Sequence, residues 1–268
     1  MNHNKLKQVI KKLNSNGNYF TELNNLYHEV ASRMLEKIEL IKVSPQIILN
    51  LGSGLGIDSK LITKKYPKAT VYQVDIAHHI LKHQQPDNFL QKIFYCNKDL
   101  ITANAYQLPF ANNSFDMVWS NLLLPYISDI NSFFKEVKRV LKPHGILLIS
   151  GFGVDSLAEL RTYKLNTANF PDLHVIGDLL YQLKFQEPVT DVDFIIYKQQ
   201  NLAKILQLSK LLGASRLFDN YQYLSKQVYS QLIENLSNLI DIKLEVFYAY
   251  AVKPASNNEY IKIQPIFS

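Results

Sequence analysis

Ile47-Ile48-Leu49-Asn50-Leu51-Gly52-Ser53-Gly54-Leu55-Gly56 is the stretch on which the reading of this chain turns. A short apolar run that ends abruptly in glycine has the pattern of a parallel strand buried on both faces. Glycines at alternate positions let the backbone turn sharply and come close to a ligand. Asp58 to Tyr66 reads as the helix that follows, ended before Pro67, and Thr70 to Val74 as a second strand closed by Asp75. Strand, glycine turn, helix, strand is a βαβ unit.

The alternation continues downstream with a strand at Met117 to Ser120, a helix at Ile130 to Leu141, a Pro143-His144-Gly145 turn and a strand at Ile146 to Ser150. Strands separated by helices predict a parallel sheet covered on both faces. Upstream, Leu23, Leu26, Tyr27, Val30, Met34, Ile38 and Ile41 recur near the helical period, so residues 22–42 read as an amphipathic helix behind a polar arm. Val189 to Tyr197 and Leu244 to Val252 are β-rich and are expected to pair antiparallel at the sheet edge. The division this implies is an N-terminal helical arm over the active site (1–44), a core (45–197), a helical cap insertion (198–240), and a final strand and tail (241–268).

Composition narrows the classes. With 47% hydrophobic and 19% charged residues in 268, the chain can bury a sizeable core, which excludes a disordered, collagenous or repeat protein. Its net charge of +6 comes from interspersed residues without a Lys/Arg run, so nucleic acid is not an expected partner, whereas an acidic partner or anionic substrate fits. Cys96 is the only cysteine, which rules out an intramolecular disulfide and a Cys-based metal site. His78, His79 and His83 lie at near-helical spacing without a carboxylate motif, and no metal is expected. Met1 to Leu13 is polar and Lys-rich, and no run of apolar residues is long enough to span a bilayer. A cytoplasmic protein is expected.

A bare G-x-G-x-G also suits dinucleotides. Three features favour S-adenosylmethionine. The spacing lacks the two-residue gap of G-x-G-x-x-G, Asp75 is placed to accept both ribose hydroxyls, and Asn104-Ala105 precedes Leu108-Pro109-Phe110 and Ser114-Phe115-Asp116-Met117-Val118. A short polar side chain followed by a backbone N–H can read the adenine amine and a ring nitrogen. With Glu136-Val137-Lys138-Arg139-Val140-Leu141-Lys142-Pro143, these blocks resemble the class I S-adenosylmethionine-dependent methyltransferases over roughly residues 45 to 152. The resemblance implies an α/β, Rossmann-like, seven-stranded and mostly parallel sheet, S-adenosylhomocysteine as product, and no metal. It implies cofactor contacts from Asn50, Gly52, Ser53, Gly54, Asp75, Ile76, Asn104, Ala105 and Ser120. Asn50 and Asn104 depart from the family's usual aspartates. An amide keeps the hydrogen-bond geometry and loses the charge, which implies weaker cofactor affinity; the other reading is that each Asn satisfies loop backbone.

The acceptor has to be read from the tail. Gly151 to Arg161, Phe170 to Leu180, Glu187 to Asp191, Leu211 to Ala214 and the Leu244 to Tyr248 strand form an ordered set. From about residue 10 to 254 the chain resembles the malonyl-acyl-carrier-protein O-methyltransferases of biotin synthesis, the BioC family. That resemblance implies methylation of the free carboxyl of malonyl-phosphopantetheine on an acidic acyl carrier protein, by a monomer. The nucleophile is ionised near neutral pH and needs no general base. A cation must hold one carboxylate oxygen, and Arg161 is the preferred candidate over Arg216; the competing reading pairs Arg161 with Glu159 or Asp155.

Further site candidates follow. Tyr19 or Phe20 of the arm is expected to shield the sulfonium, or to serve only as a packing staple. Asn121 and Leu122 are expected to line the transfer chamber, and His174 either bonds the thioester or is structural. In Ser120-Asn121-Leu122-Leu123-Leu124-Pro125-Tyr126 no proline follows Asn121, so the N-P-P-Y signature of amide and base methylation is absent. Lys135, Lys138, Arg139 and Lys142 share a helix face that steers an acidic carrier or is merely solvated, with Lys198, Lys204 and Lys210 of the cap preferred for that role. Three rivals stay open. The tail also resembles a sister group of mitochondrial complex I assembly factors that hydroxylate an arginine, although no Arg-rich presequence is present. The others are a methyltransferase for another small acceptor and a non-catalytic cofactor-binding regulator.

Overall fold

Alternate residues along the central strands face two separate cores, and that division organises the molecule. The computed structural model describes residues 24–39, 41–82, 84, 100–158, 170–199 and 240–255. In chain order these form α1 (Asn24–Glu39), β1 (Ile47–Leu51), α2 (Ile57–Lys65), β2 (Thr70–Asp75), α3 (His78–Lys82), β3 (Leu100–Thr102) and β4 (Phe115–Ser120). A 3-10 turn (Leu124–Tyr126), α4 (Ile130–Val140), β5 (Leu141–Phe152), α5 (Leu173–Gln182), β6 (Gln186–Gln199) and β7 (Ile240–Val252) complete them. One sheet holds all seven strands in the order β3-β2-β1-β4-β5-β7-β6. The first five run parallel, and β7 lies antiparallel between β5 and β6.

On one face, Ile48, Met117, Trp119 and Leu148 pack with Leu26, Val30, Met34 and Ile38 of α1. On the other, Leu49, Val118, Leu147 and Ile149 pack with Phe133, Phe134 and Val137 of α4 and Ile176 and Leu180 of α5. The helices α1 and α4 therefore each bury a stripe, and the central strands β1, β4 and β5 both faces, which is why those strands read as apolar runs. The α1 stripe is the sequence period itself, and ion pairs of Arg33 and Lys37 with Asp193 and of Lys37 with Asp191 tie its outer side to β6.

The expected turn at Pro143-His144-Gly145 lies inside β5. Phe115 pairs with Leu141 and Met117 with Ile146, so β5 carries a bulge there, with His144 at φ 61. The antiparallel edge is as expected, with both strands longer than the β-rich runs suggested. The expected cap, 198–240, is shorter at both ends, because Lys198 and Gln199 belong to β6 and Ile240 to β7, so Lys198 is a strand residue and no cap residue. Residues 200–239 lie outside the described residues, as do the polar arm and the tail after Ala255.

Candidate active site

Parallel strands deliver their C-terminal ends to one edge, and the first four strands leave a cleft there. Its floor is the glycine loop. Gly52, Gly54 and Gly56 all have positive φ, at 79, 50 and 76. A Cβ at Gly52 would lie 2.9 Å from Leu123 Cδ1, whereas one at Gly54 would meet nothing within 4 Å. Gly52 is thus needed for close packing, and Gly54 keeps the cleft open. Gln84 clamps the loop from outside by donating to Gly54 O at 2.6 Å.

Asp75 closes the β2 side. Its Oδ2 accepts from Gly54 N at 3.0 Å and its Oδ1 from Ala77 N at 2.8 Å, which fixes the carboxylate at the cleft wall. Burial raises its pKa, against the opposing pull of those N–H groups. Beyond β3, Asn104 and Ala105 line the same wall, as does Ile76. Asn104 Oδ1 accepts from Tyr106 N at 3.1 Å, so this amide both satisfies its loop and faces the cleft.

The β4 side holds a buried polar chain. Asp58, in the first turn of α2, accepts from Trp119 Nε1 at 3.1 Å and from Asn121 Nδ2 at 3.0 Å. Asn121 Nδ2 also donates to Tyr27 O of α1 at 3.1 Å, and Asn121 Oδ1 accepts from Ser150 Oγ at 2.7 Å. Ser150 Oγ in turn accepts from Leu122 N at 3.0 Å, which holds Leu122 in its left-handed conformation at φ 53. Burial pushes the Asp58 carboxyl up to about 6, although Asn121 and Trp119 oppose the shift. Tyr27 and Tyr126 stand beside it on the cleft wall, both pushed up by burial.

Gly52, Ser53, Gly54, Asp75, Ile76, Asn104, Ala105, Asn121 and Leu122 are therefore brought together. Asn50 and Ser120 are fully buried behind that wall, outside the lining. Asn50 Nδ2 donates to Ser59 Oγ at 2.8 Å, so its amide serves the β1–α2 junction and no loop backbone, and its Oδ1 has no partner. His174 is exposed in the first turn of α5 and does not reach the cleft. Tyr19, Phe20, Arg161 and Arg216 lie outside the described residues. Of the four cations expected on one helix face, Lys135, Lys138 and Arg139 belong to α4, whereas Lys142 lies past its end in β5; three of the four are engaged in structure. Lys138 donates to Leu183 O and Lys184 O, Arg139 pairs with Glu136, and Lys142 pairs with Asp116.

Asp58, Tyr27 and Tyr126 are among the cleft residues that sequence reasoning missed. One signal existed for Asp58. The chain has a single tryptophan, in a strand that reads as buried, and its indole N–H needs an acceptor.

The cleft suits S-adenosylmethionine on this geometry. An open floor at Gly54, a carboxylate at the end of β2, a polar loop after β3 and a carboxylate beside β4 match a molecule with adenosine at one end and an amino acid at the other. Among the described residues no cluster of His, Cys, Asp and Glu is arranged to hold a metal, and no helix is long and apolar enough to cross a membrane.

Fold and cleft together define a class I S-adenosylmethionine-dependent methyltransferase. Residues 49–149 match the sequence family described as "Methyltransferase domain". The fold is shared with Haemonchus contortus phosphoethanolamine N-methyltransferase 2, solved in complex with S-adenosyl-L-methionine, at TM-score 0.53 and 19% identity over 83% of this chain and 52% of that one. The chain is 36% identical to the malonyl-[acyl-carrier protein] O-methyltransferase of Gallionella capsiferriformans over 86% of its own length and 84% of that protein's. Against the enzyme of the same name from Methylovorus sp. the figures are 32%, 85% and 82%. The chain belongs to the malonyl-[acyl-carrier protein] O-methyltransferase family. The arginine-hydroxylase alternative is not favoured.

Proposed function

We propose that the protein methylates the free carboxyl of a malonyl group carried on the phosphopantetheine arm of an acyl carrier protein, giving the methyl ester. The observation that carries the reading is the identity to enzymes of that name over 86% and 85% of the chain. S-adenosylmethionine, when bound, supplies an electrophilic methyl group on a cationic sulfur. A malonate carboxylate is already ionised near neutral pH, so the protein's task is to position and to exclude water. Leu122 and Asn121 would form the chamber wall, Tyr27 would shield it from α1, and Asp75, Asn104 and Ala105 would hold the adenosine half. Arg161 would fix one carboxylate oxygen and leave the other free to attack.

Residues 200–239 leave β6 at Gln199 and return to β7 at Ile240. Those strand ends lie on the sheet edge reached by the C-terminus of β5, since Phe152 pairs with Val246, and the cleft opens along the same edge. A cap covering the acceptor entrance fits that placement. The protein would act as a soluble cytoplasmic monomer without nucleic acid.

Labelled S-adenosylmethionine and malonyl-carrier protein should give a base-labile methyl ester on the carrier, and Arg161→Ala should abolish it while leaving cofactor binding intact. Preferred use of free malonyl-coenzyme A or an unrelated acid would overturn the carrier assignment. Restoration of growth to a biotin auxotroph lacking this step tests the same reading in cells.

A further inference from the structure

We propose that Asp58 is the anionic seat for the ammonium group of the cofactor's amino-acid end. The inference rests on the methyl-donor reading of the cleft and is independent of the acceptor. Two acidic side chains line the cleft among the described residues, and they stand on opposite sides of the glycine loop. Asp75 lies on the β2 side, next to the polar loop after β3 that suits an adenosine. Asp58 lies on the β4 side, where the amino-acid half must extend.

The surroundings of Asp58 are built for a carboxylate awaiting a cation. Each oxygen accepts from one donor, Oδ2 from Trp119 Nε1 and Oδ1 from Asn121 Nδ2. Asn121 is itself pinned by Ser150 and by Tyr27 O, so this arrangement is rigid. No lysine, arginine or histidine among the described residues pairs with Asp58. The side chain is 5% exposed, and a carboxylate so enclosed without a counter-ion is costly to keep charged. A ligand ammonium removes that cost. Asn50 cannot substitute, because its amide bonds Ser59 behind the cleft wall and brings no charge.

The remaining groups that face this position are Tyr27 from α1, Tyr126 from the 3-10 turn and Asp75 from β2. Burial raises both phenols, which stay neutral over the acidic and neutral range. Asp75 also titrates upward through burial, but it faces the adenosine half. A ligand that has only that half therefore cancels its contribution.

Calorimetric titration with S-adenosylhomocysteine and with 5′-methylthioadenosine, which lacks the amino-acid end, tests the assignment. At about pH 7.5, Asp58→Asn should weaken S-adenosylhomocysteine about tenfold or more and change 5′-methylthioadenosine less than about twofold. In the wild type the affinity ratio of the two ligands should fall as pH drops through about 6, where Asp58 takes up a proton, and in Asp58→Asn it should be flat. Equal weakening of both ligands, or an unchanged ratio across that range in the wild type, overturns the assignment. Should Asp58→Asn fail to fold, the wild-type ratio decides alone. Failure of the wild type to bind either ligand overturns the donor reading and this assignment with it.

Discussion

Gly54 separates the needs of the ligand from those of the fold by one methyl group. Its φ of 50 strains any L-residue, and its missing Cβ would point into open cleft with no neighbour within 4 Å. Gly54→Ala should therefore cost only about 1–2 kcal/mol of stability while weakening S-adenosylhomocysteine about tenfold or more, as read by denaturation and calorimetry on the same sample. Gly151→Ala is the contrast, because its Cβ would lie 2.5 Å from the Phe247 ring in the core; stability should fall and the cleft should keep its affinity once folded. The glycines and Asp75 were legible because a loop and a strand end write their geometry in consecutive residues. Asp58 was not, since its partners Trp119 and Asn121 stand 61 and 63 residues away and only the sheet brings them together. Asn50 shows the reverse limit. Its place at the end of β1 was legible, but the amide's engagement with Ser59 needed the packing of α2 onto the sheet.

Elements with a full period of side chains announced themselves, and short ones did not. The long α1 and α4 stripes and the apolar run of β1 carried their own pattern, whereas β3 is three residues long and shows none. The β5 bulge was visible as turn residues, but not that the strand resumes pairing on either side of it. Asp116 is what fastens the outer ends of these strands. Its Oδ2 accepts from Gln46 N and Ile47 N at 3.0 and 2.8 Å, and its Oδ1 from Lys142 Nζ at 2.7 Å. Partial burial pushes this carboxyl up, but the hydrogen bonds from Lys142, Ile47 and Gln46 outweigh it and hold the pKa below the usual range. Asp116→Ala should cost about 1–3 kcal/mol near neutral pH, because two backbone donors and a lysine lose their acceptor. A lowered folded-state pKa stabilises above the unfolded value and is lost as pH falls through the folded one. The difference between variant and wild type should therefore hold from neutrality down to about pH 4 and narrow in stronger acid, as followed by urea denaturation across pH.

At the scale of the molecule, the parallel sheet separates chemistry from scaffolding by giving its two edges different work. The cleft occupies the edge where β1, β2 and β4 end, and Lys142, paired with Asp116 at the start of β4, occupies the other. Lys138 sits near that second edge too, bonded to the carbonyls of Leu183 and Lys184 just before β6 begins. The sequence showed these cations and the +6 balance without showing which edge they occupy, since a helical repeat defines a face and carries no information about strand ends. On the proposed function, a carrier protein delivering its arm into the cleft would approach from the cleft edge, where the chain leaves β6 at Gln199. Replacing Lys138 and Lys142 together by Ala should then lower stability by about 0.5–1.5 kcal/mol for each hydrogen bond lost, and leave both the KM for carrier protein and its rise with salt unchanged. A severalfold rise in KM with a flattened salt dependence would place carrier docking at this second edge instead. Because stability and KM are measured on the same variant, a scaffolding role and a docking role give opposite results, and the edge assignment stands or falls on which of the two quantities moves.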